Sequence, residues 1–100
     1  MVEQLRARQK QVGDLVARGD FGAVWVPAFQ AKDVAIALEP HLAHLDPAKR
    51  EIAEPAITAV VRAAWVLDAA GDVGNRQQIE SAFAAFSTAV ADLAGAFEGL

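Results

Sequence analysis

The sequence predicts an all-α domain: an antiparallel four-helix bundle with proline kinks in its second and third helices. Three observations point there. No useful length of chain alternates β-branched residues with polar ones, so the period of two that marks a strand is missing. Four segments instead carry apolar residues at helical spacing, and the connections between them are short, which favours antiparallel neighbours. Alanine fills 23 of the 100 positions, a composition that favours helix and lets helix axes approach closely.

The first segment runs from about Val2 to Arg18. Val2, Leu5, Val12 and Val16 share a face, Gln9 fills one turn of it, and Leu15 lies beside Val16. Gly19 is a natural stop, because a glycine adopts the left-handed conformation that ends a helix. Gly13 inside the segment costs about 1 kcal/mol of helix propensity relative to alanine.

The second segment opens after Asp20-Phe21-Gly22. Pro27 suits its first turn, where the missing N–H would have no partner anyway. The helix is predicted to run through Leu38, and Pro40 must then kink or end it. The apolar residues agree with a change of direction. Trp25, Phe29 and Ile36 fall on one side of the wheel, and Val34, Leu38, Leu42 and Leu45 on nearly the opposite one. A kink at Pro40 would turn each side inward in sequence.

Asp46-Pro47 opens the third segment as an N-cap acid followed by a first-turn proline. Pro55 either kinks this helix or starts its main part, which is predicted to end at Ala70, before Gly71. The fourth segment is the clearest. Asp72 or Asn75 caps it, and Asn75 with Gln78 has the spacing of a capping box. Ile79, Phe83, Phe86, Val90, Leu93 and Phe97 follow at steps of four, three, four, three and four, an uncharged seam suited to shallow-angle helix packing. Glu80, Ser87, Thr88, Asp92 and Glu98 lie off it.

Composition excludes several function classes. The length fits one domain, residues 1–100, with 54% apolar residues, too many for a disordered chain. Without cysteine there can be no disulfide, zinc knuckle, iron–sulfur ligation or thiol catalysis. The net charge is −4, and residues 51–100 hold two basic groups against seven acidic ones. Nucleic-acid binding needs a basic face, so none is expected; the cluster Arg6, Arg8, Lys10 reads as a solvated helix face flanked by Glu3 and Asp14. No apolar run is long enough to insert in a membrane, and the start, Met1-Val2-Glu3-Gln4, lacks signal-peptide character, as a soluble domain or a trimmed mature one would.

A few residues could carry chemistry. Asp68 falls on the wheel between Ile57 and Val61, within the stripe of Val60, Ala64 and Leu67, and near a helix C-terminus that disfavours an anion. It is therefore expected as a buried acid that needs compensation, from Lys32, Arg62, Arg76 or the N–H groups opening the fourth helix. Asp33, on the side of Phe29 and Ile36, poses the same problem, with Lys32 adjacent and able to snorkel. For both acids the structural reading, an ion pair or cap near the bundle end, stands beside a ligand or metal role.

His41 and His44 are three apart and flanked by Glu39 and Asp46. On a helix the rings adjoin, and with a carboxylate they could bind zinc, copper or nickel. The same stretch reads equally as a polar turn with Leu42 and Leu45 pointing inward. Trp25 and Trp65 read as core or rim aromatics, with Arg62 three residues from Trp65 and able to lay its guanidinium over the indole. Catalysis lacks its parts: Ser81 and Ser87 have no histidine nearby in sequence, and Gly71-Asp72-Val73-Gly74 has the wrong spacing for a phosphate loop. No cofactor is expected; a haem would need a core Met or His, and Met1 and the two histidines serve poorly.

The stretch Asp72-Val73-Gly74-Asn75-Arg76-Gln77-Gln78-Ile79, then Ala82 to Ser87, Ala89-Val90 and Leu93 to Phe97, resembles the final helix of a bacterial domain of unknown function associated with periplasmic heavy-metal efflux adaptor proteins. Ala31-Lys32-Asp33 and Ala64 to Asp68 fit that pattern loosely, so the resemblance covers about residues 27–98. It implies a helical bundle in an extracytoplasmic, periplasmic setting. Relatives carry a Cys/Met metal motif downstream that this chain lacks, so copper handling does not carry over. The expectation is a non-catalytic bundle, not an enzyme, that acts by binding a protein partner or its own copy; the alternative is a periplasmic metal-binding or metal-sensing domain using His41 and His44.

Overall fold

A computed structural model describes residues 1–98. Among these residues there are four α-helices, two 3-10 helices and no strand. The α-helices are α1 Val2–Arg18, α2 Trp25–Ala37, α3 Pro47–Val73 and α4 Arg76–Phe97. A 3-10 turn, Phe21–Ala23, joins α1 to α2, and a longer one, Glu39–His44, joins α2 to α3. Each helix packs on its chain neighbours, α3 most extensively on α4, and α1 packs on both α2 and α4. The molecule measures 40 × 19 × 17 Å. At roughly 1.5 Å per residue, α3 alone spans its long axis.

The helix ends follow from local chemistry. Gly19 takes φ 77° at the end of α1, and the Asp20 N–H donates to the Leu15 carbonyl at 2.9 Å. Asp46 caps α3, its carboxylate accepting from the Lys49 N–H at 2.9 Å, with Pro47 in the first helical position. Asn75 caps α4 by accepting from the Gln78 N–H at 3.0 Å. The expected reciprocal half of the capping box is absent because the Asn75 N–H is already spent: it donates to the Ala70 carbonyl at 3.1 Å, closing the end of α3.

Three boundaries differ from the sequence reading. First, α2 stops at Ala37 instead of kinking at Pro40. The proline closes off α-helical pairing and the chain tightens into the 3-10 helix Glu39–His44, which Arg50 secures by donating to the carbonyls of Leu42 and Leu45 at 3.3 and 2.9 Å. Second, Pro55 does not divide α3. Pro55 and Glu51, whose carbonyl loses its helical partner, are both exposed, so water can serve the carbonyl. Third, α3 passes Gly71 and ends at Val73, with Gly74 at φ 67° as its left-handed stop. Gly71 is a packing glycine: a Cβ there would overlap the Phe21 carbonyl oxygen of the turn lying across it.

The core is built mostly of small residues. Leu5 and Val12 of α1, Leu67 and Val60 of α3, and Ile79, Phe86 and Leu93 of α4 are fully buried or nearly so, with alanines filling between them. The α4 seam faces inward along its length, Phe83 being half-buried. Contacts between α1 and α4 run in opposite order along the chain. Arg6 pairs with Glu98 at 2.6 Å, the Gln9 amide donates to the Ser87 hydroxyl at 3.2 Å, and Gly13 lies beneath the Phe83 ring. Gly13 thereby recovers its propensity cost, since it leaves room for that ring.

Helix α2 departs most from expectation. It buries Pro27, Ala28, Ala31 and Ala35 and leaves Trp25, Val26 and Ile36 exposed. Small residues allow α2 to lie close against α1 and α3, and the large side is left outside instead of being turned inward by a kink.

Candidate functional site

The two acids expected inside are not buried, and no described residue carries a buried charged or polar side chain. Asp33 is exposed and pairs with Lys32 at 3.6 Å. Asp68 is half-buried. The stripe through Ile57, Val60, Ala64 and Leu67 is buried as expected, but Ala53, Ala56, Ala63 and Ala70 are buried too. Those alanines shift the centre of the buried arc towards Val60 and Leu67 and leave Asp68 on its edge. The helix also continues to Val73, so Asp68 is further from its C-terminus than expected. Of the suggested partners, Lys32 pairs with Asp33, Arg76 pairs with Glu80 at 3.5 Å and lies over the Phe21 ring at 4.9 Å, and Arg62 is exposed.

His41 and His44 lie on the 3-10 helix Glu39–His44, with ring centroids 5.5 Å apart, and both are exposed. Leu45 is buried and Leu42 packs on the core, so the polar turn with inward leucines is the geometry adopted. The histidines line a shallow cleft at one end of the molecule together with Met1, Glu3, Arg6 and Glu98. Among the described residues no three His, Asp or Glu side chains come together as a ready-made metal site. Glu39 and Asp46 do not complete a set with the two histidines, and the Asp46 carboxylate is occupied as the α3 cap.

The most distinctive surface lies along α2 and the adjoining flank of α3. Phe29 sits between two indoles, edge-on to Trp25 at 6.0 Å and tilted against Trp65 at 4.9 Å. The Lys32 ammonium lies 4.7 Å from the Phe29 centroid and 5.5 Å from that of Trp65. Its side chain is only 19% exposed, which makes it the most enclosed charge among the ion-paired groups. The expected guanidinium–indole contact is thus replaced: Lys32, reaching across from α2, takes the ring that Arg62 was expected to cover. Two features hold the lysine there. Ring quadrupoles attract the cation, and the aliphatic stem covers apolar surface.

This face remains open. Trp25 is 44% exposed, Ile36 44% and Trp65 55%. Next to Ile36 is a depression walled by Ile57, Val61, Trp65 and Val66, with Arg62 on its rim. Trp25, Phe29, Lys32 and Ile36 repeat at steps of four, three and four, the same spacing as the α4 seam. The sequence contains that signal. Its outward orientation is set by the alanines on the opposite side of α2, which occupy the core.

The chain matches no protein-family model, and no curated protein or solved structure is significantly similar to it. Among the described residues no helix is long and apolar enough to cross a membrane.

Proposed function

We propose that the chain is a non-catalytic, extracytoplasmic interaction module, an antiparallel four-helix bundle with α3 bent at Pro55, and that it binds through the outward face of α2 and α3. The observation that carries the binding reading is the contiguous exposure of Trp25, Ile36 and Trp65 around Phe29 and Lys32. Single exposed apolar residues are ordinary on a monomer, whereas a contiguous aromatic patch beside a depression supports a binding role for this face. The opposite-running contacts of α1 and α4 support the antiparallel arrangement, as do the short connections. The periplasmic setting rests only on the resemblance of the sequence pattern of residues 27–98 to the efflux-adaptor-associated domain.

The test is capture from the source cell with the wild-type chain and with Trp25→Glu/Trp65→Glu, whose substitutions fall on exposed positions. A partner, or the chain itself, retained by the first and lost by the second is the expected result. Identical capture by both ends the reading of this face. A reporter-enzyme fusion active only after export would test the compartment.

A second reading, metal binding at His41 and His44, rests on the 5.5 Å spacing of two exposed rings. Calorimetry with zinc and copper tests it. Heats from the native chain that are matched by His41→Ala/His44→Ala would remove it.

A further inference from the structure

We infer that α2 is a strap that opens as one unit while α1, α3 and α4 stay folded, with the turns on either side of it pinned in place and Lys32 serving as its latch. The inference concerns the inward side of α2 and is independent of what its outward face binds.

The strap itself is held lightly. Every residue that α2 buries is an alanine or a proline: Pro27, Ala28, Ala31 and Ala35. An alanine brings one methyl group to such a contact where a leucine or phenylalanine brings several carbons, so less apolar surface per residue is removed from water. Phe29 and Val34 add partial burial only. By comparison, α4 buries Ile79, Phe86, Val90, Leu93 and Phe97, and α3 buries Ile57, Val60 and Leu67. Local structure adds little. At 13 residues α2 has a length at which an isolated helix is marginal, and Trp25, Val26, Asp33, Val34 and Ile36 are middling or poor helix formers. Among the described residues it is also the one α-helix with neither a side-chain hydrogen bond at its N-cap nor a left-handed glycine after its end.

The flanking turns are fastened to other elements. Before α2, the Phe21 carbonyl lies across Gly71 of α3, Val24 packs on the same glycine, and the Arg76 guanidinium of α4 covers the Phe21 ring. After α2, Leu38 is buried and its carbonyl accepts from the His41 N–H at 2.9 Å, while Arg50 of α3 donates to the carbonyls of Leu42 and Leu45. The large buried residues that border α2, Val24 and Leu38, thus belong to the pins. Trp25–Ala37 lies between them. As a helix this segment spans about 20 Å, and extended it reaches about twice that, so it can leave the core without pulling on either pin.

Between the pins, Phe29 and Lys32 grip Trp65 of α3. The two rings lie 4.9 Å apart, and the ammonium is 4.7 Å from the first and 5.5 Å from the second. Opening returns the ammonium to water, where it is strongly hydrated, so the latch releases without stranding a charge.

Hydrogen exchange resolved by residue, under conditions where it reports opening equilibria and across low, non-denaturing urea concentrations, tests the strap. Amides of residues 29–37 are expected to exchange at least about tenfold faster than the slowest amides of α3 and α4, and with a shallower urea dependence. Two variants separate the units. Asn75→Ala removes a cap that stays intact when only the strap opens. It should speed the slowest α4 amides about fivefold and leave those of residues 29–37 unchanged. Lys32→Ala should speed the amides of residues 29–37 about three- to tenfold. Amides of residues 29–37 that match the slowest of α3 and α4 in rate and urea dependence, or that speed up with them in Asn75→Ala, would overturn the strap. Unchanged exchange of residues 29–37 in Lys32→Ala would overturn the latch.

Discussion

Helices α2 and α4 carry the same apolar spacing and use it in opposite ways. In α4, Ile79, Phe86, Val90 and Leu93 point inward and are covered by the rest of the chain. In α2, Trp25 and Ile36 stand at the surface while Ala28, Ala31 and Ala35 occupy the interior. Periodicity therefore identifies a stripe that will be buried against something, and it does not say whether that something is in the same chain. The deciding feature is the opposite side of the helix. The solvent side of α4 is polar and small, Glu80, Ser81, Thr88 and Asp92, so only one orientation hides its large residues. The far side of α2 is itself apolar and made of alanine, so turning it inward costs little and permits a closer approach to α1 and α3.

Truncating a seam residue on each helix gives the largest contrast. Phe86→Ala removes a fully buried ring from a close-packed interior and is expected to destabilise the fold by about 3–5 kcal/mol in denaturant titrations. Such a loss would leave a 100-residue domain barely folded. A loss under about 1 kcal/mol would mean that α4 is not the covered helix and would break the comparison.

The inward side of α2 is tested by enlargement. Ala31 is fully buried, and Ala31→Leu would force α2 away from its neighbours, with an expected cost of about 1–3 kcal/mol. Gly71→Ala belongs with it. The added methyl meets a backbone oxygen of the Phe21 turn, which cannot rotate aside, so a similar loss is expected despite the gain in helix propensity. Gly13→Ala is the control. Its methyl would meet the Cζ of Phe83 at 2.9 Å, but that ring is half-buried and can yield, so the propensity gain of about 1 kcal/mol offsets most of the strain.

The same contrast explains what was legible in the sequence. Residues with one physical role were legible: Gly19 as a stop, Asp46 with Pro47 as a start, Asn75 as one of two candidate caps, and the α4 seam as core. Residues whose role depends on how closely helices approach were not. Asp68 was placed by the large apolar residues around it, whereas the alanines of α3 move the buried arc off it. Gly71 resembles a terminator, and only the Phe21 turn crossing α3 explains a glycine inside the helix. The Lys32–Phe29–Trp65 cluster joins two helices, so no local spacing announces it. His41 and His44 were foreseen as neighbours, and they are, but nearness does not supply the third ligand.

Caps are a smaller and more local test. Asn75→Ala removes the acceptor for the Gln78 N–H, an exposed bond, and should cost about 1 kcal/mol in thermal unfolding. Asp46→Ala should cost a similar amount at the start of α3.

The smallest effect is expected from that face itself. Ile36→Ala removes a side chain that is already nearly half in water and replaces it with a better helix former. The lost contacts with the flank of α3 oppose the propensity gain, and the net change in monomer stability should stay below about 1 kcal/mol. Denaturant titration measures it. A large loss would mean that Ile36 supports its own chain, and α2 would then be a second inward-facing helix like α4. A small loss instead assigns the two seams to different tasks, α4 to folding and α2 to the outward face.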